Sequence, residues 1–196
     1  MFAFIPSEIY YVDMLYSYKE LEEKLGNYSK VKKAVDDGLY IKVSHGIYTD
    51  ESPNLSELES LFKRYPNTVL TLESAFSYYD MSDYIPDKYV VASAQNAHRI
   101  NNKKVNQLFI SEELLNIGKT KIKTRYGIIN IYDKERLLIE LFRLRSKLPY
   151  PYFKEIVNSY RTLFKDGLID NNKLASYCSK FKNGENLKRR IQEVVL

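Results

Sequence analysis

The sequence predicts an α+β protein: a small amino-terminal module, residues 1–50, ahead of a larger mixed α/β domain, residues 55–196, that is mainly helical after residue 133. Three observations carry this expectation. Short helix signals in the first fifty residues are followed at once by a strand, a glycine turn and a returning strand. The polar run Asp50-Glu51-Ser52-Pro53-Asn54 then reads as a linker. Beyond it, strand and helix signals alternate until apolar residues at helical spacing take over from Leu137.

In the first module, Ser7 to Leu15 is compact and apolar, with Ile9 and Val12 near helical spacing, and is a candidate first helix. Ser17-Tyr18-Lys19-Glu20 fits a capping box, in which Ser17 accepts the Glu20 amide while the Glu20 carboxylate reaches back; Leu21 and Leu25 follow on one face. Gly26-Asn27 breaks that helix, and Asn27 or Ser29 can cap the next, about Tyr28 to Asp37, with Val31, Ala34 and Val35 on its apolar face and Gly38 as its stop. Leu39 to Val43, the turn Ser44-His45-Gly46 and Ile47 to Thr49 then make a hairpin. Helices followed immediately by such a hairpin describe a winged helix-turn-helix.

In the second domain, Leu55, Leu58, Leu61 and Phe62 keep helical spacing as far as Tyr65-Pro66, where proline demands a break. Thr68 to Leu70, Tyr89 to Ala92 and Gln107 to Ile110 are strand-like, and Glu73 to Tyr79 is helical. Lys119 to Lys123 returns through Arg125-Tyr126-Gly127 into Ile128 to Ile131 as a second hairpin. Asp133 caps a helix carrying Leu137, Leu138, Leu141, Phe142 and Leu144 that ends before Pro149-Tyr150-Pro151. Three further helices are expected, about Phe153 to Asp166 with Gly167 as stop, Asn172 to Phe181, and Asn186 to Val195.

Charge is distributed unevenly. Residues 1–50 carry 6 Lys/Arg against 8 Asp/Glu and residues 51–118 carry 6 against 9, whereas residues 119–196 carry 18 against 8. Clustered cations attract anionic partners and release counterions from nucleic acid, although solvated helix faces account equally well for such an excess. No apolar run approaches the roughly 18 to 20 residues of a membrane span, the amino terminus lacks a basic start and apolar stretch, and Cys178 has no disulfide partner in the chain. The expected location is therefore the cytoplasm.

The chemistry of an enzyme is hard to assemble here, and no cofactor is expected. The histidines are His45, in the hairpin turn, and His98, in the loop Gln95-Asn96-Ala97-His98-Arg99; neither sits in a catalytic motif. Thiolate or histidine zinc motifs need more Cys and His than the chain has, and Asp80-Met81-Ser82-Asp83 reads as a helix end with capping aspartates. Gly38 and Gly46, eight apart, cannot form a phosphate-cradling loop. Cys178 reads as a small packed hydrophobe.

What remains is nucleic-acid recognition. The candidate DNA-binding residues are Tyr28, Ser29, Lys30, Lys32 and Lys33 on the recognition helix and Lys42, Ser44 and His45 on the wing. Of the tyrosines in this module, Tyr10, Tyr11, Tyr18, Tyr40 and Tyr48 are expected in or around the core, and Tyr28 is the one expected to face DNA.

From Gly38 onward the sequence resembles the AbiEi family of antitoxins, the regulatory half of type IV toxin–antitoxin and abortive-infection systems. The resemblance is carried by Asp37-Gly38-Leu39-Tyr40, by His45-Gly46-Ile47-Tyr48, by the run Tyr65-Pro66-Asn67-Thr68-Val69-Leu70-Thr71-Leu72-Glu73-Ser74-Ala75, and by Tyr79-Asp80-Met81-Ser82-Asp83-Tyr84-Ile85-Pro86. Tyr79-Asp80 departs from the His-Gly that family members often carry there. The resemblance implies a winged-helix domain that represses its own promoter by binding inverted repeats in double-stranded DNA. It also implies a carboxyl-terminal domain that counteracts a nucleotidyltransferase-like toxin in phage defence without a stable complex. The chain is then expected to be monomeric in solution with scope for cooperative binding on DNA, and to have no metal and no membrane partner. The rival expectation is a winged-helix protein-interaction module without specific DNA binding.

Overall fold

A computed structural model of the chain describes residues 15–50, 57–124 and 127–195. It is an α+β protein with two compact units, one drawn from residues up to Pro66 together with Ile122–Ile129, the other from Asn67–Lys121 and Asn130 to the carboxyl end.

In the first unit, β1 (Tyr16–Ser17) leads directly into α1 (Tyr18–Leu25), and α2 (Tyr28–Asp36), β2 (Ile41–Ser44), β3 (Ile47–Thr49) and α3 (Glu57–Arg64) follow. The capping box forms: the Glu20 amide donates to Ser17 Oγ at 3.3 Å, and the Ser17 amide donates to the Glu20 carboxylate at 2.6 Å. Gly26, at φ 106, ends α1 in a conformation that L side chains rarely adopt. Asn27 then caps α2, accepting the Lys30 amide at 3.0 Å, so Asn27 and not Ser29 is the cap. The three strands form a sheet of order β1-β3-β2, with Tyr16 opposite Tyr48 and Ser44 opposite Ile47. A strand before the first helix of the pair, joined to the second strand of the hairpin, completes the connectivity of a winged helix-turn-helix. The predicted helix over Ser7 to Leu15 falls outside the described residues except for Leu15, which is buried and not helical. The linker at residues 51–54 also falls outside them.

The core of this unit is Leu21, Val31, Ala34 and Tyr40, flanked by Tyr16, Tyr18, Leu25, Val35 and Tyr48; Leu15 and Ile47 form a second cluster with Val43. Tyr16, Tyr18, Tyr40 and Tyr48 are therefore chiefly packing groups, and Tyr10 and Tyr11 lie outside the described residues. Tyr16 and Tyr40 meet edge to face at 5.5 Å, and Lys24 lies over both rings.

The expected division at residues 50–55 differs from the observed one, because α3 belongs to the first unit. Its Leu61 and Phe62 are buried, Lys63 donates to Glu20 at 2.9 Å, and Ser60 Oγ meets Ser44 Oγ at 3.0 Å. These side-chain contacts tie α3 to α1 and β2.

A five-stranded sheet comprises β4 (Val69–Leu70), β5 (Tyr89–Ala94), β6 (Val105–Ile110), β7 (Lys119–Thr124) and β8 (Gly127–Tyr132), in the order β6-β5-β4-β8-β7; all of it belongs to the second unit except the Ile122–Ile129 stretch of β7 and β8. β4 runs antiparallel to β5 and parallel to β8, and β5 runs parallel to β6. The helices are α4 (Leu72–Tyr78), the short α5 (Glu112–Leu115), α6 (Lys134–Arg143), α7 (Tyr150–Lys165), α8 (Asn171–Cys178) and α9 (Gly184–Val195). α6 is buried on every side from Glu135 to Phe142, packed against α4, α8 and α9. Asp133 caps it, accepting the Arg136 amide at 2.8 Å. α7 begins at Tyr150, three residues before the expected start: Pro151 sits in the first turn, where its missing N–H costs nothing.

Candidate nucleic-acid interface

α2 presents two unlike faces. Val31 and Ala34 point into the core, while Tyr28, Ser29, Lys30, Lys32 and Lys33 are all exposed. Helical spacing stacks Lys32 one turn below Tyr28, and Lys33 one turn below Ser29, so hydroxyls and ammonium groups form two adjacent rows. Tyr28 is 64% exposed and its ring leans toward Tyr18 at 6.3 Å. No acidic residue occupies the first turn of α2, and among the described residues none of the three lysines has an ion-pair partner. Two features thus favour an anion on this face: the positive end of the helix dipole and three ammonium groups without counter-charge.

The wing is β2, the two-residue turn His45-Gly46 and β3, and Gly46 takes φ 76 in that turn. Lys42 and His45 are exposed. Ser44 is not a free donor. It is half-buried and shares a hydrogen bond with Ser60, so it ties the wing to α3 instead of extending the candidate surface. Lys24 is likewise engaged, donating to the Tyr16 hydroxyl at 3.3 Å; hydrogen bonding to Tyr40 and Tyr16 holds its ammonium above the ordinary lysine range.

The remaining chemistry-bearing residues are structural. His98 lies exposed in the loop after β5, and its carbonyl accepts from Gln107 at 3.1 Å. Asp80, at φ 53, turns the chain out of α4, and the Met81 carbonyl accepts from Ser159 at 2.8 Å, so this run is a helix exit, not a ligand set. Among the described residues no three His, Cys, Asp or Glu side chains gather as a metal site would require. Cys178 is buried, and burial pushes its thiol up to about 11. No helix among the described residues is long and apolar enough to cross a membrane.

The second unit holds an ionic network that the sequence did not announce. Arg136 is fully buried, donating to Glu140 Oε1 at 3.0 and 2.7 Å and to the carbonyls of Leu114 and Ile117 at 2.6 and 3.2 Å. Its guanidinium stacks between the rings of Tyr132 and Phe181, at 4.5 and 4.6 Å. Arg143 completes the carboxylate, donating to both Glu140 oxygens at 2.8 and 3.0 Å. One turn earlier, Lys173 bridges Asp133 and Glu135 at 3.1 and 3.2 Å, and the Tyr177 hydroxyl donates to Asp133 at 3.0 Å. Several cations of the basic last third are thus consumed inside the fold. The available signal was the i, i+4 spacing of Arg136 and Glu140 within a run of leucines.

No known family model matches this sequence, and no curated protein matches it. Among solved structures the chain is similar to the crystal structure of the Rv2827c protein from Mycobacterium tuberculosis, with a TM-score of 0.58 and 14% identity over 93% of this chain and 71% of that one. At that identity the likeness extends to the fold alone.

Proposed function

We propose that the chain is a DNA-binding antitoxin of the AbiEi kind, acting in the cytoplasm as repressor of its own promoter and as antagonist of a nucleotidyltransferase-like toxin. The observation that carries the DNA half is the solvent-facing surface of α2, where Tyr28, Ser29, Lys30, Lys32 and Lys33 stand without counter-charge among the described residues. Entered into a major groove, this helix would set Tyr28 and Lys30 against base edges and Lys32 and Lys33 against phosphates, with Lys42 and His45 reaching the flanking backbone. The antitoxin half rests on the sequence resemblance. The test is an electrophoretic shift with DNA from immediately upstream of the gene, at stated salt, beside co-expression with the product of the neighbouring gene. Specific retardation together with growth rescue is expected. Binding no tighter than to random DNA would sink the repressor reading.

A second reading is favoured by one observation. Leu39 and Ile41, at the root of the wing, are 64% and 41% exposed, an apolar pair suited to a protein partner. Under that reading the chain gives no specific DNA retardation, and replacing both with Ser abolishes partner capture.

A further inference from the structure

The exit of α6, the entry of α7 and α9 border an open cavity of about 500 Å³. Three arginines line it, Arg143, Arg145 and Arg190, together with Ser146, Tyr150 and the buried rings of Phe142 and Phe153, and among the described residues no acidic side chain does. We propose that this cavity binds a small phosphorylated ligand, with its phosphates on the three guanidinium groups.

Like charges gathered at a concave surface repel one another unless a counter-charge is supplied. Among the described residues the only carboxylate engaged with any of the three is Glu140, which is 3% exposed and already serves Arg136 as well as Arg143. Two guanidinium groups therefore share one carboxylate, and the site keeps an excess of positive charge. Arg145 and Arg190 have no ion-pair partner among the described residues. Two of the arginines are held in place before any ligand arrives. Arg143 is fixed by Glu140 and lies over Phe181 at 4.7 Å, and the Arg145 guanidinium lies over the Phe153 ring at 4.8 Å.

A second feature points the same way. α7 is sixteen residues long, and its first turn, which carries Tyr150 and Phe153 of the cavity wall, has neither a side-chain cap nor an acidic residue. The positive end of its dipole is left to an anion. The Ser146 hydroxyl is a further donor. A floor made by Phe142 and Phe153 suits a compact ligand better than the convex rod of duplex DNA, and the volume is that of ordinary small-molecule sites. Tyr150, 66% exposed at the rim, offers a face on which a nucleobase can stack. Free polyphosphate and a nucleotide share this chemistry.

Titration calorimetry of the full chain at ~0.15 M salt with pyrophosphate, ATP and adenosine tests the proposal. Pyrophosphate and ATP should bind saturably and adenosine should not. Arg145→Ala with Arg190→Ala should weaken both by roughly a hundred-fold, about ten-fold for each lost charged hydrogen bond. Both residues are exposed, so an unchanged melting temperature and circular dichroism spectrum should accompany that loss. Lys32→Ala with Lys33→Ala, in the other unit, should leave phosphate binding unaltered. Weakening of ATP but not pyrophosphate by Tyr150→Ala identifies a nucleotide; equal binding of both by that variant identifies polyphosphate. The proposal is overturned if neither compound binds at up to ~1 mM, if the double arginine variant binds as tightly as the parent, or if duplex DNA displaces pyrophosphate stoichiometrically.

Discussion

Lys63 of α3 donates to the carboxylate of Glu20 in α1 at 2.9 Å, so the side chain that closes the capping box also anchors the helix beyond the proline-bearing run. With Leu61 and Phe62 buried behind it, α3 is part of the winged-helix core. Each of those side chains contributes about 1.5–3 kcal/mol through burial. Residues 1–66, although lacking the Ile122–Ile129 part of the unit, should accordingly melt well above residues 1–54, monitored by far-ultraviolet circular dichroism. Coincident melting curves would show that α3 is a passenger.

Glu20 should give the first unit an acid-sensitive component. Burial alone would raise its pKa, but hydrogen bonds from the Ser17 amide, Lys63 and the Ser17 side chain outweigh burial and hold the carboxyl below its ordinary value. A carboxyl depressed in the folded state stabilises at pH values above its unfolded pKa, and that stability is lost as pH falls through the folded one. Glu20 is nearly half exposed, so the effect is a modest shift of the acid limb. Melting temperatures from neutral pH down through the carboxylate range should show Glu20→Gln losing less stability on acidification than the parent. Parallel acid limbs would remove Glu20 from this role.

Lys32→Ala with Lys33→Ala should weaken binding to all duplex sequences and reduce the slope of log affinity against log salt by about one for each lost phosphate contact. Tyr28→Ala should change sequence preference more than salt slope. The measurement is fluorescence anisotropy across a salt series with operator and scrambled duplexes. An unaltered slope in the lysine variant means that another surface meets the phosphates.

Breaking the buried pair in α6 should be costly and one-sided. Glu140→Ala leaves the fully buried Arg136 uncompensated, for a loss of about 3–5 kcal/mol in urea denaturation. Arg136→Met with Glu140→Leu removes both charges and should recover much of that loss. A double variant no more stable than Glu140→Ala would assign the cost to packing against Tyr132 and Phe181 instead of to charge.

Local signals explain what was readable in advance. The capping box at Ser17, the break at Gly26-Asn27, the wing turn at Gly46 and the cap at Asp133 each act within one turn of chain, and each lies where the residues place it. β1 is not legible in the sequence, because it is two residues long and takes its strand character from pairing with Tyr48 and Ile47, some thirty positions away. By sequence Ser44 is a wing donor, because nothing near it points to Ser60. The basic last third reads equally well as an anion-attracting region or as solvated helix faces; in the fold Arg136 and Lys173 are spent on carboxylates, Arg143 shares Glu140 with Arg136, and Arg145 and Arg190 keep their charge for a ligand.

By itself, then, the sequence determined the α+β class, the helix-turn-helix and its wing, and the lysine row on α2, because capping, turn chemistry and periodicity are interactions between near neighbours. Only the tertiary structure decided that α3 joins the first unit, that α6 carries a charged pair into the core, and that three arginines line one cavity. Those outcomes depend on which side chains meet after the chain has closed, and on whether a cation then finds a carboxylate, an aromatic face or open solvent. Sequence spacing does not encode that choice.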